Sequence, residues 1–175
     1  QAQAFVQAGH RVRVIVPLAV GKRSNEGRRS GPIVEHLERD GVEICYVRHF
    51  SLSRYGAQSF NPASADWMCR LFCRDILRDF KPDVVQGHTI TFGGQLTPYF
   101  QKKYAIPAVL TTHGGDLNTS LAEGKIPMLR SRCDAADAVA AVSPKLAEGV
   151  RSCGTKTPVY TVYNGFAVSH LSSAE

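Results

Sequence analysis

Residues 107–116 read PAVLTTHGGD, a short apolar run that stops at His113, two glycines and Asp116. A strand of a parallel sheet is buried on both faces and reads as nearly continuous hydrophobic sequence. Polar residues just past its end therefore lie on the rim where α/β proteins bind ligands. Outward from this stretch, further apolar runs fall at Val12–Val16, Val42–Val47, Val84–Val85, Ala138–Val142 and Val159–Val162. Segments of helical period separate most of them. This alternation predicts an α/β fold, a parallel sheet flanked by helices and joined by right-handed crossovers.

The helices carry their own punctuation. Asn61 and Pro62 form an N-cap and first-turn pair, opening a helix that is expected to run to about Phe80, with Met68, Phe72, Ile76 and Phe80 at fourfold spacing. Lys81 and Pro82 stop it. Ser143 and Pro144 repeat the cap logic, and Gly154 supplies the left-handed residue that ends that helix. Gly93 and Gly94 precede a shorter helix whose Pro98 must lie near its first turn or kink it.

Composition bounds the function classes. The 175 residues amount to about one domain, and 43% hydrophobic with 21% charged residues is ordinary for a soluble globular chain. No apolar run approaches the roughly 18 residues needed to span a bilayer. The net charge of +6 favours anionic partners, and its densest source is Lys22, Arg23, Arg28 and Arg29 in a Gly- and Ser-containing loop. Nucleic acid is not expected as a partner, because no basic run is interleaved with the aromatics that stack bases. Five cysteines do not make a disulfide framework and fit a reducing cytosol. Cys69 and Cys73 share a helix face, but no CxxC or nearby histidine completes a zinc set, so core packing is expected and no metal site is assigned.

The polar residues cluster at strand ends. His88 follows Val84–Val85, His113 follows Ala108–Leu110, Ser143 follows Val142, and Asn164 with Gly165 follows Val162. In a parallel sheet all of them reach the carboxyl edge. Gly114 and Gly115 let the backbone approach a ligand, and Asp116 can orient the His113 imidazole or meet a sugar hydroxyl. Each has a plainer alternative: His88 as the partner of a loop carbonyl, Ser143 as a helix cap, Asn164–Gly165 as a turn. A dinucleotide fingerprint, a P-loop, a GxSxG elbow and an HExxH motif are all absent, which leaves sites built from scattered rim residues.

GHRVRVIVP at 9–17, KPDVVQGHTITFGG at 81–94, PAVLTTHGGD at 107–116, ADAVAAVSPKLAEGV at 136–150 and VYTVYNGFA at 159–167 occur in that order. Together they resemble the amino-terminal domain of family 4 glycosyltransferases of the GT-B fold, over nearly the whole chain except residues 20 to 60. The resemblance implies a Rossmann-like domain over 1–175 that holds the acceptor. Its partner would be a carboxyl-terminal domain, absent here, whose paired glutamates hold a nucleotide-sugar. It also implies a central first strand before Gln1, so the chain is expected to be truncated at both ends, lack that strand and leave a pair of open sheet edges.

The implied activity is retaining, hexosyl-type transfer from a nucleotide-sugar substrate to a sugar, lipid-linked or small-molecule acceptor in carbohydrate biosynthesis. The implied location is the cytoplasm, with peripheral association at the inner face of the membrane as a further option. No cofactor is implied, and the absence of a DxD pair favours metal independence. His113 matches the histidine beside the transferred sugar and is expected, with Asp116, to be catalytic. His88 matches the second histidine of a His-x-His pattern whose first position is here Gln86, and Asn164–Gly165 match an interdomain Asn-Gly whose following Asp is here Ala167. His88, Gly114, Gly115, Ser143, Asn164, Gly165, Arg23 and Arg28 are the expected substrate-binding residues. The alternative is a non-catalytic sugar or nucleotide-sugar binding module, or an inactive remnant, of the same fold; the fragment alone is expected to be inactive.

Overall fold

The computed structural model describes residues 1–20, 31–50 and 62–165. Arg23 and Arg28 of the basic loop, and the Asn61 cap, lie outside them. The chain divides into two compact units, Gln1–Asp83 and Val84–Glu175.

The first unit holds helix α1 (Ala2–Gln7), strands β1 (Arg13–Val20), β2 (Val34–Arg39) and β3 (Val42–Phe50), and helices α2 (Pro62–Leu71) and α3 (Cys73–Leu77). Its sheet has the order β1-β3-β2, with β1 parallel to β3 but β2 antiparallel to it. The two runs expected as strands here, Val12–Val16 and Val42–Val47, are parallel neighbours; β2, which no apolar run marks, adds an antiparallel pair. The physical reason is the Asp40-Gly41 dipeptide, whose φ values of 52° and 74° give the two-residue turn that suits the twist of a hairpin and pairs Arg39 with Val42.

Cys45 and Val47 of β3 are fully buried, as are Ala65, Cys69 and Ile76 from the helices. The long helix expected from residue 62 to Phe80 breaks at Phe72, and its second piece ends at Arg78, whose φ is 35°. Arg13 supplies the stop that Lys81 and Pro82 were expected to supply. Its Nη1 donates to the carbonyls of Ile76 and Leu77, at 2.8 Å each, and its guanidinium lies 4.8 Å from the Phe80 ring centre. Arg13 also pairs with Glu43, its direct cross-strand neighbour.

The second unit is the parallel α/β layer that the apolar runs predict. Strands β4 (Val85–His88), β5 (Ala108–Thr112), β6 (Ala138–Ala141) and β7 (Val159–Thr161) lie in that order, every neighbouring pair parallel. Helices α4 (Gly94–Tyr104), α5 (Gly115–Ala122), α6 (Ile126–Cys133) and α7 (Pro144–Ser152) connect them, and one π-helical turn, Thr89–Gly93, follows β4 directly. Ile90, Leu110, Leu117, Leu129, Cys133, Val139 and Val150 form a fully buried core between sheet and helices. Pro98 is the fifth residue of α4, one turn in, so the π-helical turn rather than the proline shapes that helix's entry. Ser143 caps α7 by accepting the Leu146 N–H at 3.3 Å, and Gly154 follows the helix with a φ of 72°.

All five cysteines are free and buried, Cys69 and Cys73 among them, as core packing predicts. No helix among the described residues is long and apolar enough to cross a membrane.

Candidate functional site

The site lies within the second unit, at the carboxyl edge of its sheet. His88 is the last residue of β4, paired in register with Thr111, and His113 comes one residue after β5 ends. Adjacent parallel strands stand about 4.8 Å apart, so rings on these two strand ends are within reach of each other. Nδ1 of His88 and Nε2 of His113 are 3.0 Å apart, and the rings lie near parallel, 13° between planes. His88 thus has an imidazole, not a loop carbonyl, as its partner.

One proton is shared between those two nitrogens. Whichever ring donates it, the remaining nitrogens of the neutral pair are one donor and one acceptor. Both residues are exposed at the rim. Even so, the His88 pKa lies below the ordinary imidazole value, because the surrounding protein strips part of its hydration and because a charge on His113 opposes a second one beside it.

The segment after His88 is built to hold that ring in place. Thr89 has a φ of 68°, an unfavourable conformation for a β-branched residue. The next two residues are then held by both their N–H and their C=O groups. Asp116 Oδ2 accepts the N–H groups of Ile90 and Thr91 at 2.5 and 3.1 Å, and Arg132 Nη1 donates to the carbonyls of the same two residues. Asp116 is therefore spent on the backbone of the turn, with Oδ2 on the Ile90 and Thr91 N–H groups and not on the His113 ring, the role its position in sequence offered. Its second oxygen, Oδ1, is buried with no hydrogen-bond partner, as is the neighbouring Thr112 hydroxyl. Buried polar atoms left open in this way are rare in native proteins and are places for an ordered water.

The two glycines after His113 differ. Gly114 has a φ of 104°, and a Cβ there would stand 3.2 Å from the Leu146 side chain; Gly115 has nothing within 4 Å of that position. Gly114 is thus required by the fold, while Gly115 leaves clear space at the start of α5 next to His113. No side chain caps that helix N-terminus.

The remaining rim residues are more distant. Ser143 follows β6, and its hydroxyl is occupied as the α7 cap. Asn164 and Gly165 are exposed beyond β7, three strand spacings from β4, or roughly 14 Å at 4.8 Å each. The structure therefore joins His88, His113 and Asp116 in one place and sets Ser143 and Asn164 further along the same edge. Among the described residues no group of three His, Cys, Asp or Glu side chains is placed to hold a metal ion.

Sequence reasoning did not single out Thr89 or Arg132, and it met Gln86 only as the residue at the first position of the His-x-His pattern. Gln86 donates from its amide to the Thr111 hydroxyl at 2.7 Å, tying β4 to β5 one turn of pleat before the histidines. Arg132 acts from α6, 41 positions along the chain from Thr91, and no local pattern marks it.

Comparison with solved structures agrees with this fold. A sucrose-phosphate synthase structure from Thermosynechococcus elongatus superposes with a TM-score of 0.64 at 12% identity, over 97% of this chain and 84% of that one. A second chain of sucrose-phosphate synthase from the same organism gives 0.64 at 13% identity, over 96% of this chain and 41% of that one. The present chain thus spans well under half of that longer chain, and at such identity the likeness is one of fold. No curated protein sequence matches the chain. The model of the family described as Glycosyltransferase Family 4 matches residues 1–170, nearly the whole length. With its parallel layer and rim in place, the chain belongs to glycosyltransferase family 4.

Proposed function

We propose that this chain is the acceptor-side half of a retaining glycosyltransferase. In this reading a hexosyl-type sugar moves from a nucleotide-activated donor, held by a carboxyl-terminal domain of GT-B type, to a sugar, lipid-linked or small-molecule acceptor. The observation that carries it is the His88–His113 pair, 3.0 Å apart on the sheet's ligand-binding rim.

Retaining transfer develops oxocarbenium-like charge on the donor sugar and negative charge on the departing diphosphate. Preorganised dipoles at those positions give the largest acceleration. A neutral imidazole pair offers one donor and one acceptor to sugar hydroxyls, which both give and take hydrogen bonds. The open space at Gly115 admits the ring. Arg23 and Arg28 would meet an anionic acceptor, Ser143 would border the far side of the cleft, and Asn164–Gly165 would stand at the boundary with the donor domain. No metal or cofactor enters this reading, since the sequence has no DxD pair. The enzyme would work in the cytoplasm, peripherally at the membrane where its acceptor is lipid-linked.

The test is the rate of sugar transfer by the chain joined to its donor-side domain, with His113→Ala beside it. Loss of a preorganised contact made in the transition state costs on the order of 10²–10³ in rate. An unchanged rate overturns the assignment.

A further inference from the structure

We propose that Arg132 is a positioning residue for the histidine pair, acting as the cationic jaw of a clamp whose anionic jaw is Asp116. The proposal concerns the same pair as the reading above, but it depends on how His88 is held and not on the reaction.

Three observations converge on it. First, the clamp is two-sided: Arg132 Nη1 takes the carbonyls of Ile90 and Thr91, while Asp116 Oδ2 takes the N–H groups of those same residues. The Ile90–Thr91 peptide is thus polarised from both ends, by the carboxylate at its N–H and the guanidinium at its C=O, and the peptides before and after it are each held at one end; charge-assisted hydrogen bonds are about twice as strong as neutral ones. Second, the clamped segment is strained, with Thr89 at a φ of 68° directly after His88. Such a conformation persists only where its surroundings over-determine it. Third, Arg132 is also anchored to the start of α4, directly after the turn. Its Nη2 donates to Gln95 Oε1 at 3.3 Å, and its stem packs on Gly94, where an added Cβ would meet the Arg132 Cβ at 3.0 Å.

Without the guanidinium, Thr89 can relax to a negative φ. That rotation swings the end of β4 and carries the His88 ring off His113.

The experiment is nitrogen-detected NMR of the imidazoles in the intact chain, read for the coupling across the His88 Nδ1–His113 Nε2 hydrogen bond and for the His88 titration. Arg132→Met keeps the apolar stem and removes the charge. It is expected to abolish the coupling and to move the His88 titration upward, toward that of an ordinary imidazole. Arg130→Met is the control, since Arg130 on the same helix pairs with Asp134; it is expected to leave both signals as they are. A merely structural arginine would lower the melting temperature without changing either signal in the folded protein. Should the Met variant fail to fold, Arg132→Lys carries the test, because one ammonium on a shorter reach cannot serve both carbonyls and Gln95 together. Wild-type coupling and titration in a folded Arg132 variant overturn the proposal.

Discussion

Gly93 packs its backbone directly on Gly87. A Cβ on Gly93 would stand 2.7 Å from both the Gly87 carbonyl carbon and the His88 carbonyl oxygen. The atoms it would meet are backbone, so no side chain can swing aside. Gly93→Ala is expected to lower stability by about 1–3 kcal/mol, the usual cost of overpacking, and to disturb His88 in particular. A urea titration with an unshifted midpoint would contradict this.

The glycines after His113 separate stability from function. Gly114→Ala places a side chain at a φ of 104° against Leu146 and is expected to destabilise the chain. Gly115→Ala fills open space at the first position of α5. There the higher helix propensity of alanine is worth about 0.5–1 kcal/mol in favour of folding. Thermal melts of the two variants should therefore move in opposite directions, while sugar transfer should fall in both.

Acid acts on the first unit through Glu43. Burial pushes its carboxyl up, but the guanidinium groups of Arg11 and Arg13 outweigh that and hold it below the ordinary value of 4.5. A depressed carboxylate contributes stability that is present above its unfolded pKa and is lost as pH falls through the folded one. Unfolding midpoints are thus expected to be flat above about pH 5 and to drop below it, with a shallower drop in Glu43→Gln. An equally steep decline in that variant would place the acid sensitivity elsewhere.

The thiols should be silent in the native state. Burial pushes Cys69 and Cys133 up to about 12 and Cys45 to about 11, and it raises Cys153 as well. The thiolate is the reactive form. Labelling by a disulfide reagent at about pH 8 is therefore expected to be negligible before unfolding and complete after it. Prompt labelling of the folded chain would show that the core opens readily.

Much of the second unit was legible in the sequence because its signals are local. Ala108–Thr112 is buried nearly throughout, as its apolar run requires, and Ser143-Pro144 starts α7 where a cap followed by proline should. That His88 and His113 share the carboxyl edge followed from taking their runs as parallel; that their rings meet was not legible, since it needs β4 and β5 side by side. The hairpin of β2 and β3 was also written locally, in Asp40-Gly41, but Val34–Arg39 has too few apolar residues to mark β2 as a strand, whereas the parallel pairing of Val12–Val16 with Val42–Val47 is as read. The break at Phe72 was not legible, because fourfold spacing continues through it and the stop comes from Arg13 across the sheet. The role of Asp116 was half legible: its place in the first turn of α5 is plain, whereas its partners belong to a strained turn 25 residues earlier.

The most direct test is a double-mutant cycle for sugar transfer, with His88→Asn, His113→Asn and both together, in the chain joined to its donor-side domain. Residues that act as one unit are strongly non-additive. If the pair works through its shared proton, each single change should cost nearly as much rate as the double change. Costs that simply add, or a double variant that transfers at the wild-type rate, would contradict the account.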